Sequence, residues 1–427
     1  PVLETSTLFW WGVRFFNTCG PGPWSPVMTF TTEDCTSVSA PTVSDPGIRV
    51  ASGDSLNLSW LFTNTFSLPE WLSSGKLRGS VALTGNDTSP YRLENVYNVI
   101  QSPLPYSMVS IPGELKTPDL LPETNHTWEI GTDLGFIDSR LIFNLTYYYS
   151  LAENQIMSVP IPISTSYSSK VLNSGEVQNS GIELQIDAIL ISRPSGFNWD
   201  ATLMYTKNNS EVKSIHPDLN SIILNSAWHA TIEARPGEEY GLIYGYDWKR
   251  DADGNRLIDS RGWPMQGDSL ISHGSINPDY MFGFRNSFSY KGFTLSFLID
   301  GTMGAKIYSW GKTYKMLWGT DAETLEGREE WFETHENGFP IPGVEPEGYV
   351  FEGVMEDSGE PNTIPLEDPA YRGYLPYRDR IITESVLDAS SIRIREAMLS
   401  YTFPHKLVSK WKMTNLTLAI TGRNLYF

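Results

Sequence analysis

No run of about 18 apolar residues occurs anywhere in this sequence, so it encodes no transmembrane helix. The exclusion reaches helical membrane proteins only, because a membrane β-strand needs about ten alternating residues and averaged hydropathy hides it. Cysteine is almost missing as well. Cys19 and Cys35 stand alone near the start; two isolated cysteines are weak evidence for a disulfide between them, and the Cys-free remainder suits an exported barrel in an oxidising compartment. Positive charge is scarce: 31 Lys and Arg against 50 Asp and Glu give a formal net charge of -19. Such a chain lacks the basic face that phosphate binding requires, which argues against nucleic acid as a partner and favours cations or neutral ligands.

Catalytic signatures are missing too. His126, His216, His229, His273, His335 and His405 are scattered, without an HExxH pattern or paired-ligand spacing. Nothing marks a nucleophile, a phosphate loop or a redox pair, and sequence alone cannot set two carboxylates at a glycosidase's separation. Neither an enzymatic activity nor a cofactor is expected. One segment, DADGNRLID, offers Asp251, Asp253, Asn255 and Asp259 as oxygen ligands of a calcium loop, but it lacks the EF-hand spacing and terminal Glu. A hairpin turn at Asp253-Gly254, between Trp248 and Ile258, uses the same residues without a metal.

What the sequence does contain points to an all-β fold. Aromatics reach 13%, Gly and Pro number 35 and 28, and charged residues only 19%, a balance suited to many strands joined by turns. Two-residue alternation recurs from Ser55 onward. Trp128, Ile130, Leu134 and Phe136 oppose Glu129, Asp133 and Gly135; after Asp138-Ser139, Leu141, Phe143, Leu145, Tyr147 and Tyr149 alternate with Asn144 and Thr146. Ile182, Leu184, Ile186, Ala188 and Leu190 repeat the pattern, as do Phe282, Phe284 and Phe288. The run from Tyr280 to Tyr290 would extend roughly 36 Å, or about 28 Å vertically at a tilt of about 40°, close to a hydrocarbon thickness. Sandwich strands are usually about five or six residues long, so these longer runs favour a barrel over soluble sandwiches with one wet face. About twelve such strands can be read after residue 50.

In ASSIRIREAMLSYTF, Ala389 to Phe403, strict alternation puts Ile392, Ile394 and Met398 on one side and Arg393 and Arg395 on the other, with Leu399, Tyr401 and Phe403 gathering at the end before Pro404. Between Gly311 and Asp388 the alternation stops. From Gly319 to Ala370, fifteen carboxylates accompany a single Arg328, and TDAETLEGREEWFETHENG predicts a short helix begun by Thr320 or Asp321. A long acidic loop (311-388) reads as outward-facing and functional. Trp310, Trp318, Trp331 and Tyr349, in or beside it, either stack on a sugar ring or pack on one another.

Several of these stretches, in order, resemble the SusC/RagA-type TonB-dependent outer-membrane transporters: GNDTSPY, WEIGTDLGFIDSRL, SGEVQNSGIEL, NPDYMFGFRNSFSYKGFTLSFLIDG, ASSIRIREAMLSYTFP and GRNLYF, spanning about residues 55-427. The resemblance implies part of a large antiparallel transmembrane β-barrel with long extracellular loops, in the outer membrane of a Gram-negative bacterium. It further implies contact with outer-membrane lipid, a SusD-like surface lipoprotein as partner, energy from TonB through a region outside this chain, and an oligosaccharide or peptide substrate. Such barrels have about 22 strands, more than are legible, and the chain opens at Pro1 without an initiator Met and stops at Phe427 within a strand-like run, which reads as a piece of a longer protein. Residues 1-45, with TLFWWGVRFFNTCGPGPWSPVMTFTT, resemble the end of a fibronectin type III-like domain plus linker, giving a boundary before a 46-427 barrel part. The alternative this suggests is a secreted adhesion or binding protein of several fibronectin-like and sandwich modules. The residues that contact a ligand are not assigned by sequence.

Overall fold

The computed structural model describes residues 54-426 apart from Ser67, Tyr91, 101-107 and Ser195, together with Phe16–Asn17 and Gly20–Pro21. The chain divides into two units, one of Pro1–Arg49 with Ser89–Tyr91 and one of the remainder. In the first, Phe16–Asn17 pairs antiparallel with Gly20–Pro21; the rest of the fibronectin-like stretch, with Cys19 and Cys35, lies outside the described residues.

Fourteen strands carry the second unit. In chain order they are β1 (Asp54–Leu61), β2 (Leu72–Asn86), β3 (Glu123–Phe136), β4 (Leu141–Glu153), β5 (Glu176–Ile191), β6 (Asn198–Ser214), β7 (Ile222–Ala227), β8 (Ala230–Ala234), β9 (Leu242–Trp248), β10 (Gln266–Ser275), β11 (Tyr280–Tyr290), β12 (Phe293–Met303), β13 (Ser391–Thr402) and β14 (Thr417–Tyr426). Ten of them form one antiparallel sheet in the order β1-β2-β3-β4-β5-β6-β11-β12-β13-β14, and β7 to β10 form a separate four-stranded sheet. The main sheet thus holds ten strands rather than about twelve. The alternating runs between Ile222 and Ser275 are spent on the smaller sheet, whose strands pair with each other instead of joining the meander.

Because successive strands of the main sheet run antiparallel, its connections sort to two ends. At one end lie 62-71, 137-140, 192-197, 291-292 and 403-416; at the other lie 87-122, 154-175, 215-279 and 304-390. The tightest turn, Lys291-Gly292, has φ of 48° and 87°, the two positive values that a two-residue hairpin matching strand twist requires.

Register keeps each face of the sheet uniform. Across neighbouring strands, Val81, Trp128 and Tyr149 lie side by side, as do Phe143 and Ile186, Leu203 and Phe284, and Leu295, Leu399 and Ile420. The opposite face carries Lys76, Arg78, Asp133, Asn144 and Gln185, then Asp300 and Arg393. Trp71 stacks on Phe136 and Phe197 on Phe288 near the short-turn end, while Trp128 with Tyr147 and Tyr149, and Tyr205 with Tyr280, form a second aromatic band. Eight positions separate Phe136 from Trp128 and Phe288 from Tyr280. At about 3.4 Å per residue and a tilt of about 40°, the bands stand about 21 Å apart, near the height of the apolar belt of an outer-membrane barrel.

The apolar face is uncovered: Leu58 is 66% exposed, Ile130 59% and Ile420 79%. The buried cores lie instead in the long connections, around Trp248, Ile258, Phe351, Leu366, Leu375 and Ile381. A sandwich would place a second sheet over that face, and among the described residues none does; the modular soluble reading is therefore not favoured.

Several strands of the main sheet carry bulges, and the one in β13 changes which residues share a face. Ile299 pairs with Ile394 but Leu298 pairs with Glu396, so Arg395 is the extra residue of a β-bulge. Beyond it the phase reverses, so Leu399 joins Leu295 on the apolar face and Met398 falls opposite Ser296 on the polar one, contrary to the two-residue count that grouped Met398 with Ile392 and Ile394. Arg393 and Arg395 nonetheless share a partner, Asp300, with Nε at 2.7 and 2.6 Å. In a bilayer, Ala397→Arg, two positions inside the aromatic band on the apolar face, is expected to cost about 2 kcal/mol and Met398→Arg less than about 1. Urea titration of the lipid-embedded parent protein, followed by tryptophan fluorescence, checks this; equal costs would refute the phase reversal.

Candidate functional site

The largest connection, 304-390, is folded and not a structureless loop. Asp321 caps a 3-10 turn, Ala322–Leu325, by accepting from the Glu323 amide at 3.2 Å, as the sequence predicted for the helix start. Three α-helices that alternation could not reveal accompany it: α1 (Trp310–Leu317), α2 (Arg328–Thr334) and α3 (Tyr371–Arg378). Helix α1 is capped by Ser309, whose hydroxyl accepts from the Lys312 amide. It crosses α3 at Gly373, where any side chain would strike the Met316 carbonyl.

A buried charge cluster ties this insert to the connection before β10. The Glu384 carboxylate accepts from Arg372 Nη1 at 2.9 Å, with Arg256 Nη2 at 3.9 Å and the indole N–H of Trp248 at 3.5 Å. The Arg372 guanidinium also lies over the rings of Tyr349 and Phe351, at 4.7 and 5.4 Å. Burial alone would lower Arg372, but Glu384 and its neighbours outweigh that and raise it; burial dominates at Arg256 and lowers it. Removing the shared carboxylate charge with Glu384→Gln leaves Arg256 uncompensated and Arg372 with only the 4.0 Å contact to Glu323, and is expected to cost the docked insert about 3 kcal/mol. Hydrogen exchange should then accelerate across 371-386 while β3 to β5 stay protected.

Asp247, on β9, accepts from Thr383 Oγ1 at 2.5 Å and from Arg250 Nε at 3.3 Å. Burial would raise its carboxyl, but the Thr383 hydroxyl, the Trp248 amide and Arg250 outweigh burial and hold it below the usual range. Since the folded value lies below the unfolded one, this contact stabilises docking fully at neutral pH and is lost as pH falls below about 4. Asp247→Asn is expected to flatten that acid sensitivity, read as the pH at which the insert becomes protease-accessible.

The sequence-singled residues fare differently. In 251-259, Asp251 Oδ1 accepts from the amides of Asp253 and Asn255, its Oδ2 accepts from Asn255 Nδ2, and Gly254 has φ of 87°. Asp259 closes the next turn, accepting from the amides of Arg261 and Trp263 and pairing with the Arg261 guanidinium. The acidic side chains are thus acceptors of two successive turns, and among the described residues no three His, Cys, Asp or Glu side chains converge. Trp331 is 8% exposed, stacks on His335 at 4.4 Å and donates to the Glu367 carbonyl, and Tyr349 packs edge-on against Phe351; Trp318 is 72% exposed. The six histidines stay dispersed, with His273 Nε2 3.3 Å from the Gly245 carbonyl oxygen and His126 3.3 Å from Glu153.

Trp310 has a different fate. Its ring stacks at 4.3 Å and 21° on Trp228, a residue the sequence reading missed, and meets Tyr314 edge-on at 4.4 Å. Trp228 and His229 form the two-residue turn between β7 and β8. Tyr377, from α3, lies 5.2 Å from the His229 ring. Burial, then Arg380, lowers His229, which is therefore neutral at pH 7. Beside this cluster opens a cleft of about 430 Å3 lined by Ala227, Ala230, Ile232, Ile243, Ile307 and Tyr308. The sequence signal was available: a Trp where such a turn calls for Gly, Asn or Asp.

A two-faced ten-stranded meander, with tight turns at one end and large folded connections at the other, is a section of an outer-membrane-type β-barrel wall. The chain belongs to the family described as "TonB dependent receptor-like, beta-barrel", which matches residues 53-347. It is 23% identical to a TonB-dependent receptor of Formosa agariphila over 83% of this chain and 35% of that protein. To the TonB-dependent receptor SusC of Bacteroides thetaiotaomicron it is 25% identical over 44% of this chain and 20% of that one. Its fold is similar to a chain of the RagAB peptide transporter, with a TM-score of 0.63, 18% identity, and coverage of 87% of this chain and 39% of that one. The chain spans about a third of the length of the curated relatives it matches first.

Proposed function

We propose that this chain is part of the barrel of a TonB-dependent receptor in the outer membrane of a Gram-negative bacterium, one that imports oligosaccharides or peptides with a SusD-like surface lipoprotein and energy delivered by TonB. The observation that carries the reading is the sheet itself: an uncovered apolar face between two aromatic bands on one side, a charged lattice on the other, and every long connection at one end. Lipid satisfies the first face and a water-filled, plugged lumen the second. The charged lattice pairs Arg78 and Lys76 with Asp133 and Arg423 with Glu396, which keeps lumen charges matched. Residues 46-427 are the barrel part, with 311-388 an outward connection that meets the substrate or the lipoprotein, and no residue is given a catalytic role.

The parent protein is expected in the outer-membrane fraction, extractable only with detergent and accompanied by a lipoprotein, and uptake of its substrate should stop when TonB is deleted. Recovery from the aqueous fraction without detergent would sink this reading.

A further inference from the structure

We infer that Trp228 and Trp310, framed by Tyr314 and Tyr377, form a binding shelf for a neutral pyranose ring of an oligosaccharide, an assignment that rests on the importer reading and specifies its ligand. Trp228 holds φ of 52°. A bulky residue in that region costs about 1–3 kcal/mol and persists only where its surroundings hold it. Here the holding contact is the Trp310 stack, with Tyr314 at 90° to Trp228 and Tyr377 at 6.3 Å. Three separate segments, the β7–β8 turn, α1 and α3, therefore converge on one strained ring.

Two other tryptophans of the same region, Trp331 and Trp248, are built differently. Trp331 and Trp248 are 8% and 2% exposed and their indole N–H groups donate to Glu367 and Glu384, as core tryptophans do. Trp228 is 63% exposed, and neither its N–H nor that of Trp310 has a partner among the described residues, nor have the hydroxyls of Tyr314 and Tyr377. An open indole face rimmed by two free N–H and two free O–H groups is complementary to a pyranose, whose C–H face is apolar and whose edge is a ring of hydroxyls. The neighbouring 430 Å3 cleft on the same hairpin gives the next ring of a chain somewhere to go.

Charge selects the neutral class. The shelf's own donors are the uncharged N–H and O–H groups of Trp228, Trp310, Tyr314 and Tyr377, and the formal net charge of -19 disfavours polyanionic glycans at long range. A peptide strand would want a row of backbone partners more than a rim of side-chain donors.

The test uses the detergent-solubilised parent receptor with its lipoprotein, an array of neutral oligosaccharides covering α- and β-linked glucans, mannans, xylans and galactans, and a tryptic casein digest as the peptide arm. At least one oligosaccharide should bind and quench tryptophan fluorescence. Trp228→Gly, in which relief of the positive φ offsets the lost stack on Trp310 so that the fold persists, should weaken it tenfold or more. Unchanged affinity in Trp228→Gly, binding of casein peptides alone, or no binding on the array would each overturn the shelf. TonB-dependent uptake of peptides would do so while leaving the importer reading intact, whereas an aqueous, TonB-independent parent would remove both.

Discussion

Ten strands with one face left apolar and uncovered impose the condition on which everything else in this protein depends. Water solvates that face only at a large penalty, and hydrocarbon is the medium that suits it. Hydrocarbon in turn demands that every backbone N–H and C=O be satisfied within the sheet. The meander order, in which each strand pairs with its sequence neighbours in the main sheet, meets that demand for all interior strands and leaves β1 and β14 as its two edges.

The same condition explains where the buried core went. A single sheet with one apolar and one charged face has no interior of its own, so most of the fully buried side chains collect in the large connections at one end. There the insert is assembled as a small globular layer: Phe351, Leu366, Leu375 and Ile381 pack with Trp248 and Ile258 from the preceding connection, and Glu384 anchors Arg372 and Arg256 across them. The fifteen carboxylates of the insert keep its outer surface soluble while its inner surface is fixed by aromatic and guanidinium contacts. Rigidity at this layer positions Trp310 and Tyr377 against Trp228, so the ligand shelf is a consequence of the same packing that docks the insert.

Long-strand β architecture was legible in the sequence because period-two alternation is a local property: Trp128 to Phe136 and Tyr280 to Tyr290 each show it without reference to any neighbour. The helix start at Asp321 was legible for the same reason, since a cap is decided within three residues. Alternation did not distinguish strands that join the main sheet from those, such as Ile222–Ala227 and Leu242–Trp248, that belong to the smaller one. Nor did it foresee the bulge at Arg395, although the shift of apolar residues from even to odd positions between Ile394 and Leu399 was its trace.

By itself, then, the sequence determined strand length, the two faces and the sign of the charge, all set by residues close together along the chain. Tertiary structure alone decided which strands are neighbours, where the core sits, and that a turn tryptophan, two residues of α1 and one of α3 meet at one place. The last of these depends on contacts of Trp228 with Trp310 and Tyr377, each more than 60 positions away in the sequence, and no local pattern encodes a distance across a fold.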